Sequence, residues 1–142
     1  MDQTEKLMNC VVENARMGLA AVEQLLTKTE DKALREELQR QREEYQTVSR
    51  DAEKYLYDAG GKPGKNDAMA RVGLFMGTEF NTLLDKSPSH IAEMVIQGAT
   101  MGVIETTKNQ RELAEADAQA QGLATDFLNR QQAIIDRMKA FL

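Results

Sequence analysis

The sequence predicts an all-α protein, a four-helix bundle with one long crossover that contains an additional short helix. Three observations carry this. Across 142 residues there are two prolines, no tryptophan and few aromatics, with an abundance of Ala, Glu, Gln, Leu and Arg, a composition that suits helices. Apolar residues recur at steps of three and four along four long segments. Those segments are matched in length, at about 25 residues or roughly 38 Å each. A chain of this size is expected to form a single domain, residues 1–142, and to bury a core without disulfides or metal.

The first helix is expected from Asp2 to Thr27. Asp2 and Glu5 imitate a capping box, and Met8, Val11, Ala15, Gly18, Val22 and Leu25 form a narrow core-facing seam. The second helix starts after Thr29, whose hydroxyl can cap it, with Glu30 and Asp31 favourably placed against the helix dipole. Its seam is the clearest in the chain: Leu34, Leu38, Gln41, Tyr45, Val48, Ala52, Tyr55 and Ala59. The join is short enough to make these two helices antiparallel neighbours.

The strongest break is "DAGGKPGKND", Asp58 to Asp67. Gly60 can take a left-handed C-terminal cap there, and Pro63 blocks continuation. A shorter helix should follow, with Met69, Val72, Gly73, Met76, Phe80 and Leu83 on one side. A second break, "DKSPSH", places Ser87 as a cap and Pro88 at the first helical position, where a missing N–H costs nothing. The helix that begins there ends between Thr107 and Asp117. The last helix is expected to run to Leu142, with Ala120, Leu123, Phe127, Ile134, Met138 and Phe141 on its seam and Gln131 as the polar interruption.

Composition narrows the functional classes. The net charge is −5, with acids and bases interleaved. No basic stripe offers phosphate neutralisation, so a nucleic-acid partner is not expected. The single Cys10 allows no internal disulfide and suits a reducing compartment. "MDQTEKLMNC" carries charges where the apolar core of a signal peptide would begin, and no run approaches a membrane span. The expectation is a cytoplasmic protein without a membrane partner.

The layout resembles the small bacterial ferritin-like domains, several of which have no assigned function. The likeness covers nearly the whole chain: the first hairpin, "LREELQRQREEY" leading into "YDAGGKP", the intermediate helix, and the terminal "IIDRMKAFL". It implies one long crossover between two short-linked hairpins. Metal-binding members of that group hold two metals with a Glu on each of two helices and Glu-x-x-His on the other two, because residues three apart share a helix face. This chain has no Glu-x-x-His, and its one histidine, His90, stands at a helix start. Glu105 is the one carboxylate on a seam, and Glu44 its only plausible companion. Two glutamates do not make a di-metal centre, so no metal or cofactor is expected.

Other residues attract attention by position. "GGKPGK" departs from a P-loop in its glycine spacing and in Asn66 after the Lys. Gly73 and Gly77, like Gly98 and Gly102, form GxxxG pairs that let helices approach closely or leave a pocket between them. The methionines, Met69, Met76, Met94 and Met101 among them, fill a core or line an adaptable surface. Gln41 and Gln131, at seam positions, need hydrogen-bond partners such as each other, Tyr45 or Glu105. That set, Gln41, Tyr45, Gly98, Met101, Gly102 and Gln131, is either a polar layer fixing helix register or a pocket for a small ligand. One histidine so placed offers no catalytic triad. The expected function is therefore that of a non-catalytic structural or interaction module, homodimeric through Leu74 and Phe75 of the intermediate helix. The alternatives are an iron- or manganese-dependent oxidoreductase with a reduced site, or a small-molecule carrier.

Overall fold

The structure is a computed structural model and describes residues 2–64 and 83–142. Four long helices account for most of them: α1 (Gln3–Leu26), α2 (Lys32–Asp58), α3 (Pro88–Glu112) and α4 (Ala118–Met138). The intermediate helix expected to carry Met69, Val72, Gly73, Met76, Phe80 and Leu83 on one side lies outside the described residues as far as Phe80, as do Gly77, Leu74 and Phe75; Leu83, which is described, is buried but not helical. No helix among the described residues is long and apolar enough to cross a membrane.

Each helix starts where the sequence supplies a cap. Asp2 accepts from Glu5 N at 2.8 Å, Ser87 accepts from His90 N at 3.3 Å with Pro88 in the first turn, and Asp117 accepts from Ala120 N at 2.8 Å. The cap of α2 differs from expectation: it is Asp31, whose carboxylate accepts from Leu34 N at 2.9 Å. Thr29 sits one step back, its hydroxyl accepting from Asp31 N at 3.2 Å. An ionised carboxylate is the stronger acceptor for the helix N–H groups, and the threonine is left to shape the turn before them.

The helix ends are closed by other means. Gly60 has φ +84; Gly61 N donates to Leu56 O at 2.8 Å and Gly60 N to Tyr57 O at 3.0 Å, the paired bonds of a Schellman motif. Arg35 of α2 donates to the carbonyls of Leu26 and Thr29, supplying donors that the last turn of α1 lacks. The last helix stops at Met138 and tightens into a 3-10 turn, Lys139–Phe141, rather than continuing to Leu142 as an α-helix. A tighter last turn is a common way for a helix to finish.

The seams read from the sequence face a common core. Leu7, Met8, Val11, Ala15, Leu25, Leu34, Leu38, Ile91, Phe127, Ile134 and Met138 are almost wholly enclosed. Tyr55 and Leu123 are only half-buried, Ala59 is exposed, and Leu56 and Ala124 take the inward positions. α1 packs on all three other helices, whereas α2 and α3 lie across the bundle from one another.

Terminal contacts fix the helix directions. At one end, Gln3 accepts from Glu115 N at 2.8 Å and Thr4 from Asp117 N at 2.9 Å, while Tyr55 donates to Asp117. The start of α1, the end of α2 and the α3–α4 turn therefore meet there. At the other, Arg137 from the end of α4 pairs with Glu37 near the start of α2 at 2.6 Å. α2 and α3 thus run parallel, and the end of α2 and the start of α3 lie at opposite ends of the bundle.

Two glycines test this account in opposite directions. Replacing Gly60 with Ala strains a left-handed residue and is expected to cost about 1–2 kcal/mol. Gly122 lies within α4 with open space where a Cβ would be, so Gly122→Ala should stabilise by about 0.5–1 kcal/mol. Urea unfolding of the two variants measures both signs.

Candidate interhelical binding cleft

Gln131 and Tyr45, expected at seam positions, meet at the centre of the bundle. The Tyr45 phenol donates to Gln131 Oε1 at 2.7 Å, joining α2 to α4. Each side chain also ends against a glycine of another helix. A Cβ on Gly18 would lie 2.5 Å from Tyr45 Cζ, and one on Gly102 would lie 2.7 Å from Gln131 Nε2. The second glycine of the Gly98–Gly102 pair thus seats a side-chain amide. Phe127 packs beside Tyr45, with ring centroids 6.5 Å apart and planes inclined at 60°, a tilted arrangement of the favourable kind.

Alongside this layer, a cleft of about 50 Å³ opens between α1 and α3. α1 contributes Asn14, Met17, Gly18, Ala21, Val22 and Leu25. α3 contributes Met94, Val95, Gly98, Ala99, Met101 and Gly102, while Gln41, Tyr45 and Gln131 reach in from the remaining helices. From Asn14 to Leu25 the cleft follows about 16 Å of α1, at 1.5 Å per residue. Apart from Asn14, Gln41, Tyr45 and Gln131 the walls are apolar or glycine, and none of the lining residues is charged. Met101 stands at the rim, 41% exposed, whereas Met94 is buried. All six residues of the expected layer or pocket therefore come together here.

The cleft also holds a residue that the sequence reading passed over. Asn14 is buried, and its Nδ2 donates to Cys10 O at 2.9 Å, leaving Oδ1 without a hydrogen-bond partner among the described residues. Its spacing held the signal, since Asn14 lies three residues after Val11 and four before Gly18. Gln41 pairs within its own helix, donating from Nε2 to Glu37 Oε2 at 2.8 Å, and not with the partners expected. Its Oε1 is likewise without a partner among the described residues.

The two weak metal candidates take other roles. Glu44 pairs with Arg137 at 3.1 Å and with Arg40 at 3.4 Å. Arg137 bridges Glu44 and Glu37; burial works to lower its pKa, but the hydrogen bonds and charges of the two carboxylates outweigh burial and hold it raised. Glu105 is half-buried on α3 and does not line the cleft. Among the described residues no group of three or more His, Cys, Asp or Glu side chains is arranged to hold a metal ion. His90 lies 3.6 Å from Glu93 at the start of α3, and residues 60–64 of the "GGKPGK" stretch reach back to α1, with Gly64 N donating to Asn9 Oδ1 at 2.9 Å.

Burial raises the Tyr45 phenol well above the usual tyrosine range; the Gln131 bond opposes this and the Glu44 charge adds to it. Above about pH 10 an unfolded tyrosine gives up its proton, while Tyr45 in the fold keeps it. Stability should accordingly fall as pH rises past that point. Tyr45→Phe should flatten this alkaline decline in pH-dependent unfolding. At neutral pH it should cost about 1–3 kcal/mol, because Gln131 Oε1 loses its buried donor.

The chain matches no family model, no curated protein and no solved structure, so the reading of its function rests on the geometry of this cleft.

Proposed function

We infer that this chain is a non-catalytic helical bundle of ferritin-like topology that works by binding, with the cleft between α1 and α3 as its site for a small molecule. The single observation that carries this reading is the cleft itself: an uncharged, mainly apolar slot that ends on buried polar groups at Gly102. Concave apolar sites with a few convergent polar groups are the usual form of small-molecule sites. The topology is supported by the parallel course of α2 and α3, with the end of α2 and the start of α3 at opposite ends of the bundle, as one long crossover requires.

A metal-dependent oxidoreductase is the weaker reading. Where a di-metal bundle gathers carboxylates and imidazoles at its centre, this one has a phenol, a primary amide and two glycines. Of its two candidate carboxylates, Glu44 is already shared between two arginines. An interaction role, as a homodimer, finds support in the neighbouring exposed side chains of Met101 and Ile104 on α3. Sedimentation showing a monomer at high concentration would remove the dimer and leave the cleft reading intact.

The test is a thermal-shift survey of the purified protein across a panel of small metabolites, with elemental analysis of the same sample. At least one compound should raise the melting temperature, and the rise should vanish in Gly102→Leu, which fills the slot. A panel without any shift would remove the binding role. Stoichiometric iron, manganese or zinc would restore the oxidoreductase reading in its place.

A further inference from the structure

The surface that the cleft presents is mainly carbon and sulfur. Its polar liners offer little to a guest. Asn14, Gln41 and Gln131 are at most 2% exposed, and the oxygens Asn14 Oδ1 and Gln41 Oε1 are enclosed beyond the reach of water. The Tyr45 phenol and Gln131 Oε1 are spent on one another at 2.7 Å. The apolar wall is built from Ala21 and Gly98, which are half-buried, from Val22, and from the methionines Met17, Met94 and Met101. A charged guest would lose its water there without compensation, and a neutral hydrogen-bonding group would give up its water and receive no partner. The cleft therefore selects for hydrocarbon.

Shape selects among hydrocarbons. On α3 the cleft extends from Met94 to Gly102, about 12 Å at 1.5 Å per residue. Its volume of about 50 Å³ holds roughly three to five water-sized groups at about 10–15 Å³ each. So few groups spread over that length stand in single file. A ring or a branched skeleton needs room for two groups abreast, whereas an unbranched chain needs room for one. The two ends of the slot also differ. Leu25 and Met94 are 1% and 4% exposed, while Met101 is 41% exposed and Ile104, three residues further along α3, 45%. Apolar surface thus continues from the Met101 rim out to solvent, and methionine side chains are flexible enough to close on a chain. We propose that the cleft binds one unbranched alkyl chain, its methyl end toward Leu25 and its polar head left in water beyond Met101. This rests on the reading of the cleft as a binding site and adds the chemical class of its occupant.

The experiment titrates octanoate and its branched isomer 2-propylpentanoate into the full chain with isotopically labelled methionine methyls, followed by NMR. The two acids share formula and charge and differ in skeleton, and the branched one can seat only a propyl arm in the slot. Octanoate should shift the methyls of Met17, Met94 and Met101 and leave Met8 and Met138, buried in the core away from the cleft, unmoved. It should bind about tenfold more tightly than its isomer, as two further buried methylenes at about three- to fourfold each require. From butanoate upward, affinity should climb by about that factor per carbon and level off once the slot is full. In Ala21→Leu, which narrows the slot, the octanoate shifts should disappear. Equal affinity of the two isomers would overturn the unbranched chain as occupant and leave the cleft a site for other molecules. Absence of shifts with either acid, or shifts that extend to Met8 and Met138, would overturn the alkyl assignment altogether; the metabolite panel decides separately whether the cleft binds anything. Because the isomers are compared on the unmodified chain, the outcome does not depend on the variant folding.

Discussion

The hydrogen bond from Tyr45 to Gln131 is the constraint around which this bundle is arranged. Both side chains are buried, so each polar atom must find a partner inside the protein or lose the hydrogen bonds that water gave it. The 2.7 Å contact supplies one partner to each. Reaching across the core takes space, and Gly18 and Gly102 provide it by having no side chain where the tyrosine ring and the amide end. Two residues from α2 and α4 therefore set how α1 and α3 lie beside them. A slip of any helix by one turn would bring a side chain against the ring or the amide and leave a buried polar atom unpaired. This is how a polar pair in an apolar core fixes register.

Charge is kept at the edges of that layer. Arg137 spans from the end of α4 to Glu37 and Glu44, which lie about two turns apart on α2, and Arg16 ties α1 to Glu53 at 2.8 Å. These pairs are partly buried, so removing one partner would cost more than losing a solvated surface pair. The cleft is left without charge. The ion pairs that hold α2 to α4 therefore lie outside the slot.

Much of the fold was legible in the sequence because its signals are local. Caps at Asp2 and Ser87, the left-handed Gly60 and the seams of three- and four-residue steps each depend on residues within one or two turns. The end of α3 was not legible, for a physical reason. No glycine or proline stops it; the carbonyls of Gln110, Leu113 and Gln121 are answered instead by the side-chain amides of Gln121 and Gln110 across the turn. Those donors belong to two helices, and only the folded hairpin brings them together. The preference for Asp31 over Thr29 as a cap was hidden in the same way, since both residues carry a suitable oxygen and the turn geometry selects between them.

The site was legible to a similar depth. Gln41, Tyr45, Gly98, Met101, Gly102 and Gln131 share seam positions, and their convergence follows from helix periodicity once the helices are paired. Asn14 was missed because an asparagine in a run of apolar residues reads as an interruption, while its meaning depends on what stands opposite. Opposite it stands Gly102, and the gap that this glycine leaves is where the Asn14 oxygen and the Gln131 nitrogen converge. A larger residue at that position would close the gap and push the amide away from the tyrosine. The same absence of a side chain therefore serves two ends: it lets the central hydrogen bond form, and it leaves beside that bond a small polar corner at the end of an apolar slot. The position of one glycine thus decides both the helix register and the shape of the cleft beside it.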